Sequence, residues 1–204
     1  MARPYAAGMR NVVVVENVSL DGVMQAPARS DEDERGGFRY GGWAGELLAR
    51  DPEAVQASMG SPGASTEMLF GRVTYLDLVG HWLSTPDPNP FTEILRNTTK
   101  YVASRTLTDP MPHPNSVRLE GDAVDAVRAL KADGDGDLVV LGSGDLVRQL
   151  AAAGLVDVYQ LTVLPVVLGE GTRLFGDTHT ELEPERVQAF DSGIVVGRFR
   201  VVGA

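Results

Sequence analysis

The chain has 204 residues and a formal net charge of −10, from 28 acidic and 18 basic residues. This length suits one domain that buries about 70% of the surface its unfolded chain exposes. The acidic balance argues against a general nucleic-acid binder, which is normally basic. No apolar run approaches the roughly 18 residues of a membrane span, so we expect no membrane insertion. The absence of cysteine excludes disulfides and thiolate metal sites and fits a cytoplasmic protein.

The first elements are an extension, a strand and a long loop. Residues 1–9 are expected to form a mobile extension, and they lack the apolar core of a signal peptide, so we expect no secretion. Four consecutive valines within 11–18 predict a strand buried on both faces, as in the centre of a parallel sheet. Residues 19–42 are rich in Gly, Pro, Asp and Arg and show little periodicity, which indicates a long functional loop.

Strands then alternate with helices. Helical spacing covers 43–59 with an interruption expected at Pro52, and Asp122 is expected to cap a later helix. The alternation predicts a single α/β domain over 10–204, with three layers and a mostly parallel central sheet. An antiparallel pair is expected at its C-terminal edge. The predicted elements are strands at 67–70, 101–103, 116–119, 138–141, 156–164 and 194–202, and short helices at 74–79 and 91–96.

Two of these strands run directly into a glycine turn and a possible helix start. The first reads Phe70-Gly71-Arg72-Val73-Thr74-Tyr75, and the second reads Leu141-Gly142-Ser143-Gly144-Asp145-Leu146. Such a turn presents free backbone N–H groups to an anion. Two turns at the same edge of a sheet can hold both ends of a dinucleotide, although each can also be an ordinary structural turn.

In this order and spacing, these pieces resemble the dihydrofolate reductase-like superfamily, and most closely the family of the riboflavin-biosynthesis reductase domain. The resemblance covers about residues 10–202 and implies a dihydrofolate reductase-like fold, an NADPH cofactor and a homodimer. The complete bifunctional riboflavin enzyme also carries a zinc deaminase with cysteine ligands, which a chain without cysteine cannot hold. The other matched pieces are Ser19-Leu20-Asp21-Gly22, Lys100-Tyr101-Val102-Ala103-Ser104, Gly154-Leu155-Val156-Asp157 and 164–171.

The resemblance assigns cofactor contacts to both turns. It implies that Gly71 allows close approach of the ligand and that Arg72 pairs with a phosphate. Thr74 is expected to cap the following helix or to bond the pyrophosphate. Ser143 replaces a glycine that the family often has and offers an N–H and a hydroxyl. The second phosphate turn comprises Gly142, Ser143, Gly144, Asp145 and Leu146.

Ser104 and Arg105 stand where the family binds the adenosine 2′-phosphate. A hydroxyl and a guanidinium at that place favour NADPH over NADH. A turn with a solvated arginine is an equally good interpretation of the same residues.

The substrate side is less patterned. Asp21 leaves the first strand beside the presumed nicotinamide, where it either orients the loop, touches the substrate or serves turn chemistry. Trp43 is a candidate pocket residue or a core tryptophan. Glu46 and Asp51 are candidate proton donors, although no motif aligns either of them. The histidines have no paired metal spacing, so we expect no metal.

The sequence therefore predicts an NADPH-dependent reductase that transfers hydride to a C=N or C=O group of a small pterin- or pyrimidine-like substrate. The riboflavin branch implies a 5-amino-6-(5-phosphoribosylamino)uracil reductase type of reaction. The alternative is a non-catalytic NADP(H)-binding dimer that has lost the substrate site, which the missing aligned acid favours. A phosphate-ester enzyme is a third possibility, without a nucleophile or metal cluster to support it.

Overall fold

The computed structural model describes residues 10–59 and 66–203, so the expected extension at 1–9 lies outside the described residues. Within these ranges, eight strands form one mixed sheet with the order β4-β3-β2-β5-β1-β6-β8-β7. The strands are β1 (Asn11–Ser19), β2 (Glu67–Gly71), β3 (Lys100–Ala103), β4 (Ser116–Arg118), β5 (Asp137–Leu141), β6 (Val158–Leu164), β7 (Leu182–Ala189) and β8 (Val195–Val201).

The pairing directions confirm the predicted fold class. Strand β2 pairs in parallel with β3 and with β5, and β3 pairs in parallel with β4. Strand β8 pairs antiparallel with β6 on one side and with β7 on the other. The sheet is therefore mostly parallel, with an antiparallel C-terminal part, as the alternation of strands and helices predicts.

The valine run of β1 occupies the interior of the sheet. Val12, Val13 and Val14 are at most 2% exposed, and β1 is fifth in the strand order. β-branched side chains pack well on both faces of a pleated strand. The prediction of a central strand from this run is confirmed.

The helices lie where the sequence predicts them, but some differ in length from the prediction. The helical stretch at 43–59 is broken before Pro52, as predicted, because proline lacks the N–H that a helix interior needs. The helix predicted at 74–79 is longer, since it begins at Arg72 and continues through a π-helical turn (Tyr75–Val79). The helices are α1 (Gly45–Ala49), α2 (Pro52–Met59), α3 (Arg72–Thr74), α4 (Gly80–Ser84), α5 (Pro90–Asn97), α6 (Ala123–Ala132) and α7 (Gly144–Ala152).

Strand β7 is missing from the sequence prediction. Its residues are mostly exposed, and it contains Pro184, so it shows no apolar alternation. A strand with proline and a polar composition is stable only at a sheet edge, where partner strand β8 supplies the order. The predicted antiparallel pair is thus a group of three strands.

The described residues divide into two compact units. The first unit comprises Met1–Val13 and Gly63–Leu155, and the second comprises Val14–Pro62 and Val156–Ala204, each counted over its described residues. The first unit has a core of Phe70, Tyr75 and Val102 with their neighbours. The second contains clusters around Val23 and around Ile194. The assignment of 10–204 to a single domain stays a prediction.

Among the described helices none combines the length and the apolar character that crossing a membrane requires.

Lys100 is a fully buried cation in the first unit. Its ammonium donates to the backbone oxygens of Leu95 at 2.6 Å and Thr98 at 2.7 Å, at the C-terminal end of α5. A cation is favourable at this end of a helix dipole. Burial nevertheless lowers the pKa of Lys100 from 10.5 to about 8, so the folded state holds this proton less tightly than the unfolded chain.

We expect Lys100→Met to change the pH dependence of stability. A lysine whose folded pKa lies near 8 and whose unfolded pKa lies near 10.4 destabilises the fold most below pH 8. That cost declines as pH rises, so the wild type gains about 2 kcal/mol relative to the variant between pH 8 and pH 10. Urea unfolding of both proteins at pH 7, 8, 9 and 10 measures this difference. A difference that stays constant over that range would contradict the prediction.

Candidate active site

The carboxyl ends of three parallel strands meet at one edge of the first unit. Gly71 at the end of β2 is in register with Ala103 of β3, and Leu69 is in register with Val140 of β5. Both glycine turns and the Ser104 turn therefore follow neighbouring strands at the same edge. In open α/β sheets this edge is the usual place for ligands.

The two glycine turns are joined by hydrogen bonds through Ser143. The Gly71 N–H donates to Ser143 Oγ at 2.9 Å, and the Ser143 N–H donates to Thr74 Oγ1 at 2.9 Å. The Ser143 hydroxyl in turn donates to the Leu141 backbone oxygen at 3.1 Å. We call this set of hydrogen bonds the Ser143 junction. It brings the two predicted phosphate turns into direct contact.

The Ser143 junction corrects two predicted roles. The N–H and the hydroxyl hydrogen of Ser143, expected to face a phosphate, are both donated within the protein. Thr74 does not cap a helix, because α3 begins two residues earlier at Arg72 and its cap position is Gly71. Both side chains hold the turns together, which positions the remaining N–H groups around them.

Gly142 is required by the junction itself. Its φ is +57°, in the left-handed region, and a Cβ at this position would lie 2.7 Å from Thr74 Cγ2. Ser143 also has a left-handed backbone, with φ of +59°. This conformation is costly for a residue with a side chain, and it persists because the junction holds Ser143 from three sides.

Gly71 is not required by the protein's own atoms. Its backbone is extended, with φ of −78° and ψ of 155°. A Cβ there would meet Ser143 Cβ at 3.6 Å, an ordinary van der Waals contact. An alanine Cβ would therefore fit here without a shift of Ser143, so the protein's own atoms do not require glycine at position 71.

Helix α7 begins without a side-chain cap. Its cap residue Ser143 makes no capping hydrogen bond, so the first N–H groups of the helix have no such partner among the described residues. The side chain of Leu146 is buried, which leaves only its N–H for a ligand. The carboxylate of Asp145 pairs with Arg148 one turn later, and this pairing offsets the negative charge at the helix start.

The basic side chains beyond β2 and β3 are available to a ligand. Arg72 and Arg105 are exposed, and neither forms a hydrogen bond or ion pair with the residues that the structure describes. Ser104 Oγ accepts from the N–H groups of Thr106 at 3.2 Å and Leu107 at 2.9 Å. Because it only accepts in these bonds, its own hydroxyl hydrogen can donate to a further acceptor.

In the second unit, Asp21 holds two loops together. Its carboxylate accepts from the Ser19 hydroxyl at 2.7 Å, from the Gly169 N–H at 2.9 Å and from Arg173 at 3.3 Å, with a further N–H from Leu168. The Ser19 hydrogen bond is the main reason that the pKa of Asp21 falls to about 2. A carboxyl group that is ionised at neutral pH cannot supply a proton, so this geometry gives Asp21 a positioning role.

Gln25 makes a second connection that the sequence analysis missed. Its buried amide oxygen accepts from the Thr172 N–H at 2.9 Å, and its amide nitrogen donates to the backbone oxygens of Asp33 and Arg35. One side chain thus links the long loop after β1 to the segment around Thr172. A lone glutamine carries no recognisable motif, because only its partners reveal this role.

Trp43 and Glu46, two further residues predicted on the substrate side, are not placed to transfer a proton. The Trp43 indole packs against Val23, Ala26 and Phe38, and its N–H donates to the Gln25 backbone oxygen at 2.8 Å. The Glu46 side chain is 89% exposed and lies 3.5 Å from Arg50. A solvent-facing carboxylate is poorly placed to deliver a proton into a water-excluded pocket.

Within the ranges 10–59 and 66–203, no group of three or more His, Asp or Glu side chains is placed so that it could hold a metal ion.

Comparison with solved structures defines the fold as dihydrofolate reductase-like. The chain is similar to a putative riboflavin biosynthesis protein from Shewanella sp. PV-4, at 21% identity and a TM-score of 0.62, over 95% of this chain and 99% of that one. It is also similar to the dihydrofolate reductase of Enterococcus faecalis complexed with NADP(H), at 14% identity and a TM-score of 0.57, over 94% and 96% of the two chains.

The chain belongs to the RibD C-terminal domain family, because that family's model matches residues 10–196. The chain is also 31% identical over 134 residues to the uncharacterized protein YyaP of Bacillus subtilis, which covers 63% of this chain and 70% of that protein. The resemblance inferred from the sequence is confirmed.

Substitutions at the two glycines should separate folding from binding. Gly142→Ala is expected to lower the free energy of unfolding by about 2 kcal/mol or more, because it combines a left-handed backbone with an overlap at Thr74. Gly71→Ala should leave stability unchanged or raise it by up to about 1 kcal/mol, since alanine fits its backbone. Chemical unfolding of both variants measures these values. Equal destabilisation would contradict this account of the Ser143 junction.

Asp21→Asn should remove an acid-sensitive part of the stability. The folded pKa of Asp21, about 2, lies below the unfolded value near 3.9, so its stabilisation is present above pH 4 and is lost as pH falls towards 2. The difference in urea midpoint between wild type and variant should therefore be constant from pH 7 to pH 5 and shrink below pH 4. Asp31→Asn, an exposed acid of the same loop, controls for the loss of one charge. A constant difference down to pH 3 would refute the assignment.

Proposed function

We propose that the protein is an NADPH-dependent reductase that transfers hydride to a C=N or C=O group of a small pterin- or pyrimidine-like substrate. The observation that carries this proposal is the Ser143 junction, which joins two uncapped helix starts at one sheet edge. Membership of the RibD C-terminal domain family and the dihydrofolate reductase-like fold support the same activity. A reaction of the riboflavin-biosynthesis reductase type is the first candidate.

The residues of the first unit fit a nucleotide cofactor. The protein's own atoms would accept a Cβ at Gly71, and its absence favours the close approach of a pyrophosphate to this backbone. The N–H groups of Gly144, Asp145 and Leu146 at the start of α7 supply hydrogen-bond donors and the positive end of a helix dipole. Arg72 adds a full charge from the other turn. Ser104 and Arg105 are assigned to the 2′-phosphate of the adenosine.

When bound, the reduced nicotinamide supplies the hydride, and the protein's contribution is binding, orientation and electrostatics. We propose that the loops which Asp21 and Gln25 hold in place contact the substrate. Because Asp21 is ionised and Glu46 is exposed, we assign the proton to ordered water in preference to either side chain. We further propose a cytoplasmic homodimer.

The same observation about proton donors favours a second candidate function. A chain that keeps both glycine turns but lacks a placed acid can be a non-catalytic NADP(H)-binding dimer. Titration with NADPH and NADH tests binding, and NADPH oxidation with dihydrofolate and with the ribosylamino-pyrimidine of riboflavin synthesis tests turnover. Binding with turnover supports the reductase. Binding of NADPH without turnover on either substrate supports the second candidate, and absence of binding refutes both.

Single substitutions at the turns should weaken NADPH binding. We expect Arg72→Ala and Arg105→Ala each to raise the Kd for NADPH by about 10-fold or more, since a charge-assisted contact contributes about 1.5–3 kcal/mol. Gly71→Ala should also raise this Kd, because its Cβ would hinder the close approach of the pyrophosphate to the backbone. Fluorescence titration measures the Kd. Arg186→Ala, which removes an exposed arginine of β7, is the matched control and should leave it unchanged. Unchanged affinity in all three turn variants would refute the phosphate assignments.

A further inference from the structure

Arginines in the described part of the chain fall into two groups. Most form an ion pair with a carboxylate, as expected in a protein with a net charge of −10. Arg186 donates to the amide oxygen of Gln188 at 2.8 Å. Arg72, Arg105 and Arg118 make no hydrogen bond or ion pair with the described residues. These three cations are therefore available to an anion that the chain does not itself supply.

The three unpaired arginines follow or end three neighbouring strands. Arg72 comes directly after β2, Arg105 lies two residues after β3, and Arg118 is the last residue of β4. Because β2, β3 and β4 are adjacent and parallel, all three residues lie at the carboxyl edge that carries the Ser143 junction. Chance placement of unpaired cations would not favour one edge of one unit.

Arg118 differs from the other two because it is partly buried. Its Nε has less than 1 Å² of accessible surface and no hydrogen-bond partner. Leaving a buried donor unsatisfied is unfavourable, and a bound anion is one way in which it can be satisfied. The sequence does not indicate a binding role for Arg118, because a single arginine in a short strand forms no recognisable motif.

The strand register indicates how far Arg118 is from the Ser104 turn. Arg118 is the register partner of Val102, and Ser104 lies two residues further along β3's direction. Two residues of rise and one strand spacing give a Cα separation of about 8 Å between Arg118 and Ser104. An arginine side chain spans most of this distance, so one phosphate group can contact both residues.

We propose that Arg118 joins Ser104 and Arg105 in binding the phosphate monoester on the adenosine ribose of NADPH, and so sets the preference for NADPH over NADH. This inference rests on the proposed function. The monoester carries nearly two negative charges at neutral pH and accepts several hydrogen bonds. A half-buried guanidinium with an unpaired Nε suits it, because a charge-assisted hydrogen bond from a partly buried donor is stronger than one in open solvent.

The test uses two small nucleotides that differ only in this phosphate, 2′,5′-ADP and 5′-AMP. Wild-type protein should bind 2′,5′-ADP at least about 10-fold more tightly than 5′-AMP by calorimetry. In Arg118→Met, which keeps an unbranched apolar stem without the charge, the affinity for 2′,5′-ADP should fall by about 10-fold or more. The affinity for 5′-AMP should not change. The Kd for NADH divided by the Kd for NADPH should fall by the same factor as the affinity for 2′,5′-ADP.

A control variant and a stability measurement separate a binding role from a structural one. Arg186→Met should leave both nucleotide affinities unchanged. The Tm of ligand-free Arg118→Met should equal or exceed that of the wild type, because removing an unpaired, partly buried charge relieves a cost. Arg118→Lys, which restores the charge without the planar fork, should recover part of the 2′,5′-ADP affinity.

Three outcomes would overturn the assignment of Arg118. They are an unchanged affinity ratio in Arg118→Met, an equal loss of affinity for both nucleotides, and a Tm several degrees below the wild type in the absence of ligand. If wild-type protein binds NADPH while any of these is observed, only the role of Arg118 fails. If wild-type protein binds neither NADPH nor 2′,5′-ADP, the proposed function fails with it.

Discussion

The candidate cofactor site depends on one side chain, Ser143, whose backbone and hydroxyl join the turns that follow β2 and β5. Its N–H reaches Thr74, and its Oγ accepts the Gly71 N–H. These bonds engage the polar groups expected to face a phosphate, and they hold Ser143 in a left-handed conformation. In return, two helix starts are kept in a fixed relation, so their remaining N–H groups can act on one anion. The strain is local, and it maintains a preorganised arrangement that suits the proposed cofactor binding.

The distribution of arginine pairs gives this site its charge. In an acidic chain, a bound anion meets an unfavourable overall field and must be held by local donors. Most described arginines are neutralised by neighbouring carboxylates, whereas the cations at the ends of β2, β3 and β4 are left unpaired. The first unit therefore concentrates its available positive charge on the edge where the glycine turns lie. A net charge of −10 alone would have predicted that the chain repels anions.

In the second unit, Asp21 and Gln25 hold loops together, and neither side chain is placed to donate a proton. Asp21 and Gln25 both use their polar atoms to fasten the loop after β1 to the 168–173 segment. Trp43 packs into the same loop region through its ring and its N–H. These residues can fix the shape of a substrate surface, and they are unsuited to proton transfer because their polar atoms are already engaged. These contacts are therefore compatible with both proposals, a reductase and a non-catalytic NADP(H)-binding protein.

The sequence by itself determined the fold class, the central position of the valine strand, the break at Pro52 and the family, because apolar period, proline and spaced motifs act locally. It also located both glycine turns. Only the tertiary structure decided which atoms in those turns form hydrogen bonds within the protein. It also decided that Asp21 and Gln25 link loops through hydrogen bonds, that β7 forms a strand and that Arg118 is unpaired. Each of these depends on partners distant in sequence, and a hydrogen bond or an edge-strand pairing leaves no pattern in the segment that receives it.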